Sequence, residues 1–514
     1  MRRRDALTLL ALLPMTSRSL AQTTRAVSVK IDPTPKSVIS PRLYMQFMEP
    51  LGTTDSSVEA AWDFNTNSWR GDFVAAVRDL APGAIRWGGI FTSYWKWREG
   101  VGPRERRIPM INYLWGGLES NQIGLDEVLE LCSTVGAEPI IGINFAGDGR
   151  PEYISTVRGE RRAGTAEEAA DLVRYCNDPD YRERHANGRP APWGVKLWQI
   201  GNETSYPAPG HRFTRMENCR EYRVFAEAMR AADPSVQLIG WGDQELDTGH
   251  WWAEELLRNA GDAVDFVALH MMHQTPDSPN TLLKGREYRR DYHAAWDELC
   301  AIYRKVEHKL MEARQVIRGI DPAKRVAITE GHLSLQPHNK CEILREWISA
   351  LYHARVLNLY ERNADFVEVA TLADFEGTTW LSNAVMLGSP REPPYLLPAG
   401  HVMRLYKAHG GSLQIDATVE ETTLDISCSR NRNTLYLHVV NTDLEGATKA
   451  EISVAGAQPD RAYAHEIAPG DLSAAIDTTA LDIFKVAKHR VPVNAGVIAW
   501  SFPKASVTSL EIEL

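Results

Sequence analysis

Two apolar runs in the sequence each end on a glutamate. Residues 196–203 read Lys-Leu-Trp-Gln-Ile-Gly-Asn-Glu, and residues 325–330 read Arg-Val-Ala-Ile-Thr-Glu. Hydrolysis of a glycosidic bond uses a carboxylic acid that protonates the leaving oxygen and a carboxylate that acts from the other side of the sugar. Glu203 and Glu330 are therefore candidate catalytic residues, and Asn202 places a hydrogen-bond donor beside Glu203.

The two runs belong to a larger pattern of eight apolar runs that end in polar or glycine residues. Segments with helical periodicity separate them, at 72–81, 124–135, 165–176, 219–232, 251–260, 291–318 and 341–362. The runs themselves lie at residues 43–49, 84–89, 139–144, 196–203, 237–243, 265–270, 325–330 and 366–374. Alternating strands and helices imply parallel pairing, and eight such units close a (β/α)8 TIM barrel.

The carboxyl ends of the strands of such a barrel share one rim, where active sites form. The polar residues at the strand ends are Glu49, Asn144, Glu203, Asp243, His270, Glu330 and Asp374. Glu49, Asn144, His270 and Asp374 are thus candidate substrate-binding residues, although Glu49 alone could equally form a pocket wall or a structural ion pair. His270 and His273 lack metal-binding spacing, so hydrogen bonding is favoured over a metal site.

Four tryptophans fall near the predicted rim loops, at positions 87, 95, 97 and 115. Tryptophan is more often a core residue, but stacking of one ring on a sugar is an open alternative. Trp95 is the candidate for that role.

The pattern changes after about residue 395. Short alternating runs, such as 434–440 and 451–454, are divided by Asn, Asp and Gly, which predicts a smaller antiparallel β-sandwich. The predicted division is an N-terminal strand segment at 22–42 that joins the sandwich, a catalytic barrel at 43–395 and a sandwich at 396–514.

The composition limits the classes of partner. The formal charge is −10, and the basic residues are scattered. A nucleic-acid or anionic-membrane partner needs a concentrated basic surface, so neither is expected. The six cysteines show neither C-x-x-C nor metal-finger spacing, which favours buried free thiols over a disulfide framework.

The first 21 residues resemble an export signal. Arg2, Arg3 and Arg4 precede a short apolar run at 6–13, and small residues precede a cleavage point near Gln22. The adjacent arginines are a loose match to a twin-arginine signal. An exported protein, periplasmic or extracellular, is therefore expected.

Several segments resemble the family 51 glycoside hydrolases, which are mostly α-L-arabinofuranosidases. The most specific is residues 94–107, Tyr-Trp-Lys-Trp-Arg-Glu-Gly-Val-Gly-Pro-Arg-Glu-Arg-Arg, followed by 121–127, 136–139, 198–203, 352–365 and 398–406. The resemblance implies a retaining mechanism without a cofactor, with Glu203 as general acid/base and Glu330 as nucleophile. It also implies that Asn202, Glu49 and His270 contact the sugar or line its pocket.

The chain departs from the family pattern at four places, one of which spans two residues. Ile90 stands where the family has a sugar-binding Asn, and Met272 where a Tyr is common. The nucleophile is followed by Gly331 and His332 in place of Trp and Asn, and Asp374 replaces a Gln. Loss of polar partners for a sugar changes discrimination strongly, so these departures indicate altered specificity with intact chemistry.

The leading hypothesis is an exo-glycosidase that releases arabinofuranosyl or related furanosyl residues from polysaccharide or oligosaccharide. One alternative is a retaining glycosidase for another sugar, such as a galactofuranoside, a xyloside or a β-glucan. Another is a catalytically inactive carbohydrate-binding barrel, which would not need both glutamates. Assembly into a homo-oligomer is compatible with the resemblance, but no interface pattern stands out.

Overall fold

The computed structural model of the protein describes residues 26–55, 58–150, 161–206, 212–388, 392–420 and 422–514. The segment predicted as an export signal, residues 1–21, lies outside these ranges. The division of the chain into segments at residues 21, 42 and 395 stays a prediction.

A parallel barrel forms the larger part of the structure. Its first seven strands pair in sequence order, and every pairing is parallel. After the N-terminal strand β1 (Val27–Val38), these strands are β2 (Met45–Met48), β3 (Ala84–Trp87), β4 (Glu138–Gly142), β5 (Leu197–Ile200), β6 (Gln237–Trp241), β7 (Phe266–His270) and β8 (Arg325–Glu330).

The eighth barrel strand is split into β9 (Val367–Ala370) and β10 (Asp374–Gly377). The first half pairs with β8, and the second half pairs with β2 through Asp374 and Phe47, which closes the barrel. The Thr371 hydroxyl donates to the Ala373 carbonyl at 2.9 Å and stabilises the bend between the halves. Two short strands, β11 (Asn383–Met386) and β12 (Tyr395–Leu396), extend the sheet beyond β10.

Helices cover the outside of the barrel. They are α1 (Gly71–Leu80), α2 (Leu125–Val135), α3 (Ala166–Asn177), α4 (Arg182–Ala186), α5 (Arg215–Ala232), α6 (Ala253–Ala260), α7 (Tyr292–Ile320), α8 (Trp347–Arg362) and α9 (Pro398–Ala408). The last helix differs from the sequence prediction, which gives this range to the sandwich. Proline at its first position starts the helix, and its contacts are with α8 and α1 of the barrel.

Alternate residues of the barrel strands point inward. Met45 and Phe47 of β2, together with Ile239 and Trp241 of β6, belong to one enclosed apolar cluster. This period of two places the intervening residues against the surrounding helices. The interior is therefore packed with side chains, and the open space lies at the carboxyl rim.

Apart from three two-stranded sheets in the loops of the barrel, the remaining strands form a second large sheet that curls into a sandwich. Nine strands follow the barrel: β13 (Leu413–Val419), β14 (Leu424–Asn431), β15 (Thr434–Asn441), β16 (Thr448–Val454), β17 (Arg461–Ile467), β18 (Ala487–Val491), β19 (Val493–Asn494), β20 (Val497–Phe502) and β21 (Ser506–Glu513). Strand β1 inserts between β13 and β16, antiparallel to the former and parallel to the latter. Every other pairing in this sheet is antiparallel.

A buried polar cluster joins the two parts. The Glu361 carboxylate of α8 accepts hydrogen bonds from the Ser427 hydroxyl at 2.6 Å and from Tyr44, and it contacts Nδ1 of His438 at 2.7 Å. Because these side chains come from the barrel and the sandwich, the cluster fixes one part against the other.

All six cysteines lie within the described residues and are free thiols, as expected from their spacing. No helix in the described ranges combines the length and the apolarity needed to cross a bilayer.

Candidate active site

A cavity of about 230 Å³ opens at the carboxyl ends of the barrel strands. Its wall carries five carboxyl side chains and neither lysine nor arginine among the described residues. The lining residues are Phe47, Glu49, Leu51, Ile90, Leu114, Trp115, Glu203, Met272, Gln274, Glu330, His332, Ser334, Asn339, Asp374, Phe375, Glu376 and Trp380. The four positions that depart from the family pattern, at 90, 272, 332 and 374, all border this space.

The two predicted catalytic glutamates meet in this cavity. One carboxyl oxygen of Glu203, one of Glu330 and one ring nitrogen of His270 all lie within 4.8 Å of one another. Retaining glycosidases hold their two carboxyl groups about 5–5.5 Å apart, whereas inverting enzymes hold them about 6.5–9.5 Å apart. The short separation supports the retaining geometry.

His270 lies between the two carboxyl groups. Its Nδ1 is 3.1 Å from Oε1 of Glu203 and 3.6 Å from Oε2 of Glu330, and its Nε2 contacts the Thr329 hydroxyl at 3.1 Å. Burial lowers the pKa of His270 to about 4, so the ring is neutral near pH 7. A hydroxyl proton donated to Nε2 leaves Nδ1 as the donor toward Glu203.

Arg86 of β3 organises the floor of the site. Its Nη1 donates to Oε1 of Glu330 at 2.9 Å, its Nη2 to Oδ1 of Asn202 at 2.7 Å and its Nε to Oε1 of Gln199 at 2.7 Å. The Arg86 side chain is fully buried, so this rigid fork connects the nucleophile candidate with the strand that delivers Glu203.

The backbone at the end of β5 turns sharply to present Glu203. Gly201 has φ +88° and Glu203 has φ +54°, in the left-handed region that a glutamate rarely adopts. The Glu203 carbonyl accepts from Tyr206 N at 3.0 Å and from Arg150 Nη2 at 3.2 Å. Surrounding contacts thus hold a strained conformation that aims the carboxyl into the cavity.

Asn202 has one side-chain atom to offer a ligand. Its Oδ1 is taken by Arg86, while its buried Nδ2 has no hydrogen-bond partner. Its backbone N–H donates to Oδ1 of Asp148 at 3.1 Å, and the Ser93 hydroxyl donates to the other Asp148 oxygen. These contacts fix Asn202 with its amide N–H groups free beside Glu203.

Burial raises the pKa of all three cavity carboxyls at strand ends. It raises that of Glu203, where the charges of Arg150 and Arg86 oppose the rise. It also raises that of Glu330, where His270 and Arg86 oppose it, and that of Glu49 well above its ordinary value, with Glu330 adding to the rise. Glu330 alone has a guanidinium bonded to its carboxyl, which favours its ionised form.

Glu49 and Asp374 occupy the wall on either side of the barrel closure. Oε1 of Glu49 accepts from Phe91 N at 3.1 Å, and a Cβ on Gly89 would lie 2.4 Å from the Glu49 carboxyl carbon. Asp374 accepts from the Ser382 hydroxyl at 2.7 Å and lies 3.3 Å from Nδ1 of His332. Both predicted positions are therefore at the cavity.

The structure does not bring Trp95 and Asn144 into the cavity. Trp95 is 3% exposed and packs against Trp87 and Phe91. The Asn144 amide donates to the Trp95 carbonyl at 2.9 Å, and its Oδ1 accepts from backbone N–H groups at 147 and 164. These contacts use up the polar atoms of Asn144, so it stabilises the loops around the rim and does not face a ligand.

Four residues of the site were not predicted from the sequence. Arg86, Gln199 and Asp148 lie beneath the carboxyl pair, and Glu376 lies in the wall. Arg86 was predictable in principle, because an arginine inside a predicted buried strand needs a partner. Asp148 lies in the loop that follows a strand, and its spacing in the sequence does not distinguish it from other acidic residues in loops.

Replacement of Asp148 by asparagine should alter how stability depends on pH. Burial raises the pKa of Asp148 from 3.8 to about 6. The contribution of Asp148 to stability is therefore complete below pH 3.8 and is lost as the pH rises through 6. The asparagine oxygen can still accept from Asn202 N, and its amide N–H can donate to the Ser93 hydroxyl, which then accepts. Because asparagine does not titrate, the variant should gain up to about 3 kcal/mol over the wild type between pH 4 and 7. Thermal unfolding of both proteins across this range measures the gain, and a constant difference in Tm would contradict it.

In sequence, the chain resembles proteins that are named as arabinofuranosidases. Residues 76–292 match the family model described as Alpha-L-arabinofuranosidase 1 domain. The chain is 25% identical to an intracellular exo-alpha-L-arabinofuranosidase of Bacteroides ovatus, over 96% of both chains. It is 32% identical to an intracellular exo-alpha-(1->5)-L-arabinofuranosidase of Streptomyces lividans, over 46% of this chain and 36% of that one.

These relatives overturn the expectation of export. Both are named intracellular enzymes, so the predictions of a secreted protein and of an export signal are wrong on this comparison. A basic start followed by a short apolar run is a weak pattern, since eight apolar residues occur at many chain ends.

The fold agrees with solved structures of the same group. The GH51 arabinofuranosidase of Xanthomonas axonopodis pv. citri superposes with a TM-score of 0.79 at 21% identity, over 95% of this chain and 100% of that one. The predicted barrel with a C-terminal β-sandwich is thereby confirmed. Taken with the sequence relatives, this shows that the chain is a glycoside hydrolase similar to the family 51 α-L-arabinofuranosidases.

Proposed function

We propose that the protein is a retaining exo-α-L-arabinofuranosidase that releases terminal arabinofuranosyl residues from polysaccharide or oligosaccharide. The observation that carries the proposal is the approach of the Glu203 and Glu330 carboxyl oxygens to within 4.8 Å in one cavity. The Bacteroides and Streptomyces relatives, both named exo-arabinofuranosidases, support the choice of sugar.

In the first step, a carboxylate oxygen of Glu330 attacks the anomeric carbon. The bond from that carbon to the leaving oxygen breaks, and the proton of Glu203 passes to that oxygen. Burial raises the pKa of Glu203, which favours the protonated form that serves as the acid, while the Arg86 guanidinium stabilises ionised Glu330. The product of this step is a glycosyl ester on Glu330 and a free leaving group.

In the second step, a water molecule attacks the same carbon and displaces Glu330. Glu203, now a carboxylate, takes the proton of that water, which returns both side chains to their starting states. Neutral His270 donates from Nδ1 to the Glu203 carboxylate at 3.1 Å and stabilises it between the two steps. Two inversions leave the sugar with its original configuration.

The polar atoms around the pair suit a neutral sugar. The Asn202 amide has no hydrogen-bond partner among the described residues for its N–H groups beside Glu203. Burial raises the pKa of Glu49 well above its ordinary value, which favours the neutral acid that can donate to a sugar oxygen. The cavity of about 230 Å³ falls below the usual size of ligand sites, about 300–1,000 Å³. A small closed space favours one terminal sugar over an internal stretch of chain.

A panel of 4-nitrophenyl glycosides tests the proposal. We expect the highest kcat/KM on α-L-arabinofuranoside, at least about 10-fold above β-D-galactofuranoside, β-D-xyloside and β-D-glucoside, because a misplaced or missing hydroxyl leaves polar groups of the site unpaired. Proton NMR of the first product should show retained anomeric configuration. A preference for any pyranoside, or an inverted product, would overturn the proposal.

A further inference from the structure

One carboxyl group in the cavity wall has no hydrogen-bond partner among the described residues. Both carboxyl oxygens of Glu376, on β10, are buried and lack a hydrogen bond. The other four carboxyls of the wall each have a protein partner: Phe91 N for Glu49, His270 for Glu203, Arg86 for Glu330 and Ser382 for Asp374. Glu376 is therefore the exception among the described acids of the cavity.

Such a group is costly to the fold. A buried polar atom without a partner loses its hydration and gains nothing in return, so unpaired groups in native proteins are rare and mark sites of function. Burial, with Asp55 and Asp374 close by, raises the pKa of Glu376 well above its ordinary value. The neutral acid can donate one hydrogen bond and accept others.

The Glu376 carboxyl does not hold in place the loop that follows it. Asp55 already performs that task, because its carboxylate accepts from the backbone N–H groups of Thr378, Thr379 and Trp380. Asp55 also accepts from Nδ2 of Asn383 at 2.9 Å. The strand end and its loop are thus held without a contribution from the Glu376 carboxyl.

The same wall contains two unpaired donors. The indole rings of Trp115 and Trp380 meet edge to face with centroids 5.3 Å apart, and both line the cavity. Their Nε1 atoms are buried and have no hydrogen-bond partner. Unpaired donors and acceptors together with apolar ring surface complement a sugar, which presents both hydroxyl groups and C–H faces.

We propose that Glu376, Trp115 and Trp380 form a hydroxyl-binding subsite, and that Glu376 is a specificity-determining residue which binds neighbouring hydroxyl groups of a neutral sugar. This inference rests on the proposed arabinofuranosidase function. The hydroxyl groups belong either to the arabinofuranosyl unit itself or to the sugar that leaves. Five carboxyl groups and the absence of lysine and arginine from the described lining disfavour an anionic sugar.

Two variants and two substrates test the subsite. Glu376→Leu removes both oxygens, and Glu376→Gln keeps the shape and one acceptor. The substrates are 4-nitrophenyl α-L-arabinofuranoside, whose leaving group has no sugar hydroxyls, and an α-1,5-linked arabinofuranosyl disaccharide. We expect Glu376→Leu to lower kcat/KM by roughly 10- to 100-fold on at least one substrate, and Glu376→Gln to lower it less.

The pattern of loss identifies the source of the hydroxyls. Loss on both substrates places the bound hydroxyls on the released arabinofuranosyl unit, whereas loss on the disaccharide alone places them on the leaving sugar. In either case Tm should stay unchanged or rise, because an unpaired buried group is removed. Asp55→Asn is the matched control, and its Tm should fall because the Asp55 carboxylate accepts five hydrogen bonds.

Two results would overturn the subsite. One is unchanged kcat/KM of Glu376→Leu on both substrates. The other is a fall in Tm of Glu376→Leu that Glu376→Gln restores, which would assign the residue a structural role. If the wild-type enzyme turns over neither substrate, the proposed function fails, and calorimetric binding of the disaccharide decides the subsite: weaker binding to Glu376→Leu supports it, and equal binding overturns it.

Discussion

Glu330→Ala should lower kcat/KM for 4-nitrophenyl α-L-arabinofuranoside by at least about 10⁴-fold, because no other group can form the covalent intermediate. Glu330 lies at the end of β8 with Arg86 bonded to it at 2.9 Å, and its carboxyl approaches that of Glu203 to within 4.8 Å. Steady-state release of nitrophenol measures the loss. Alanine also takes the Glu330 carboxylate away from the buried Arg86, so a disturbed site contributes to the effect.

Glu330→Gln is the matched control for that disturbance. Its amide oxygen can still accept from Arg86, while an amide is not a nucleophile that could form the glycosyl ester. Equal losses in the two variants, with near-wild-type Tm in the glutamine form, would assign the effect to the chemistry. A burst of nitrophenol from Glu330→Ala, equal in amount to the enzyme, would show that another residue becomes glycosylated and would contradict the assignment.

The barrel was predictable because the same sequence pattern is repeated along the chain. Each strand carries an apolar run that ends on polar or glycine residues, and each helix has a 3.6-residue period, so an error in one unit leaves seven others intact. The same rule collected Glu49, Glu203, His270 and Glu330 at one rim before any distance was known. Closure of the sheet then placed the ends of the fourth and seventh barrel strands, β5 and β8, around the same cavity.

The contacts beneath the rim were not predictable in this way. Arg86 sits inside a strand whose other residues are apolar, and its three partners come from the fourth and seventh barrel strands, β5 and β8. Such contacts depend on register between strands more than 100 residues apart in the chain. A single sequence specifies the period of each strand, but it does not specify which side chains meet across the barrel.

Trp95 and Asn144 were predicted to bind substrate, but the structure does not place them in the cavity. Both follow the rule that rim residues bind substrate, yet both are buried in the loops that build the rim. A barrel of this size needs long βα loops, and those loops need cores of their own. Aromatic and amide side chains serve that purpose as well as they serve a ligand, and their burial cannot be read from spacing.

The departures from the family pattern gain a physical meaning from the cavity. Ile90 and Met272 place apolar atoms where the family has polar sugar contacts, while Asp374 places a carboxyl where the family has an amide. Polar contacts are thus fewer on one part of the wall and different in kind on another. This redistribution supports a shift in which hydroxyls are recognised, with the reacting pair unchanged.

Glu203→Ala should lower kcat by about 10²–10⁴-fold, with a dependence on the leaving group that distinguishes it from Glu330→Ala. 4-Nitrophenol leaves without a proton, so glycosylation of Glu330 should remain fast while attack by water loses its base. The glycosyl-enzyme should then accumulate, give a burst of nitrophenol and appear in intact-protein mass spectrometry as the enzyme plus one pentosyl unit. The disaccharide, whose leaving oxygen needs a proton, should be affected more strongly.

Azide provides the decisive control for Glu203. The anion needs no general base, so it should displace Glu330 from the glycosyl-enzyme of Glu203→Ala and restore turnover, with an arabinofuranosyl azide of retained configuration as the product. Wild-type enzyme and Glu330→Ala should show no such rescue, because in the first Glu203 already activates water and in the second no glycosyl-enzyme forms. Absence of rescue in a folded Glu203→Ala, or an azide product of inverted configuration, would contradict the acid/base role. The outcome depends on the position of Glu203, whose carboxyl lies in the same cavity as that of Glu330, with one oxygen of each within 4.8 Å of the other.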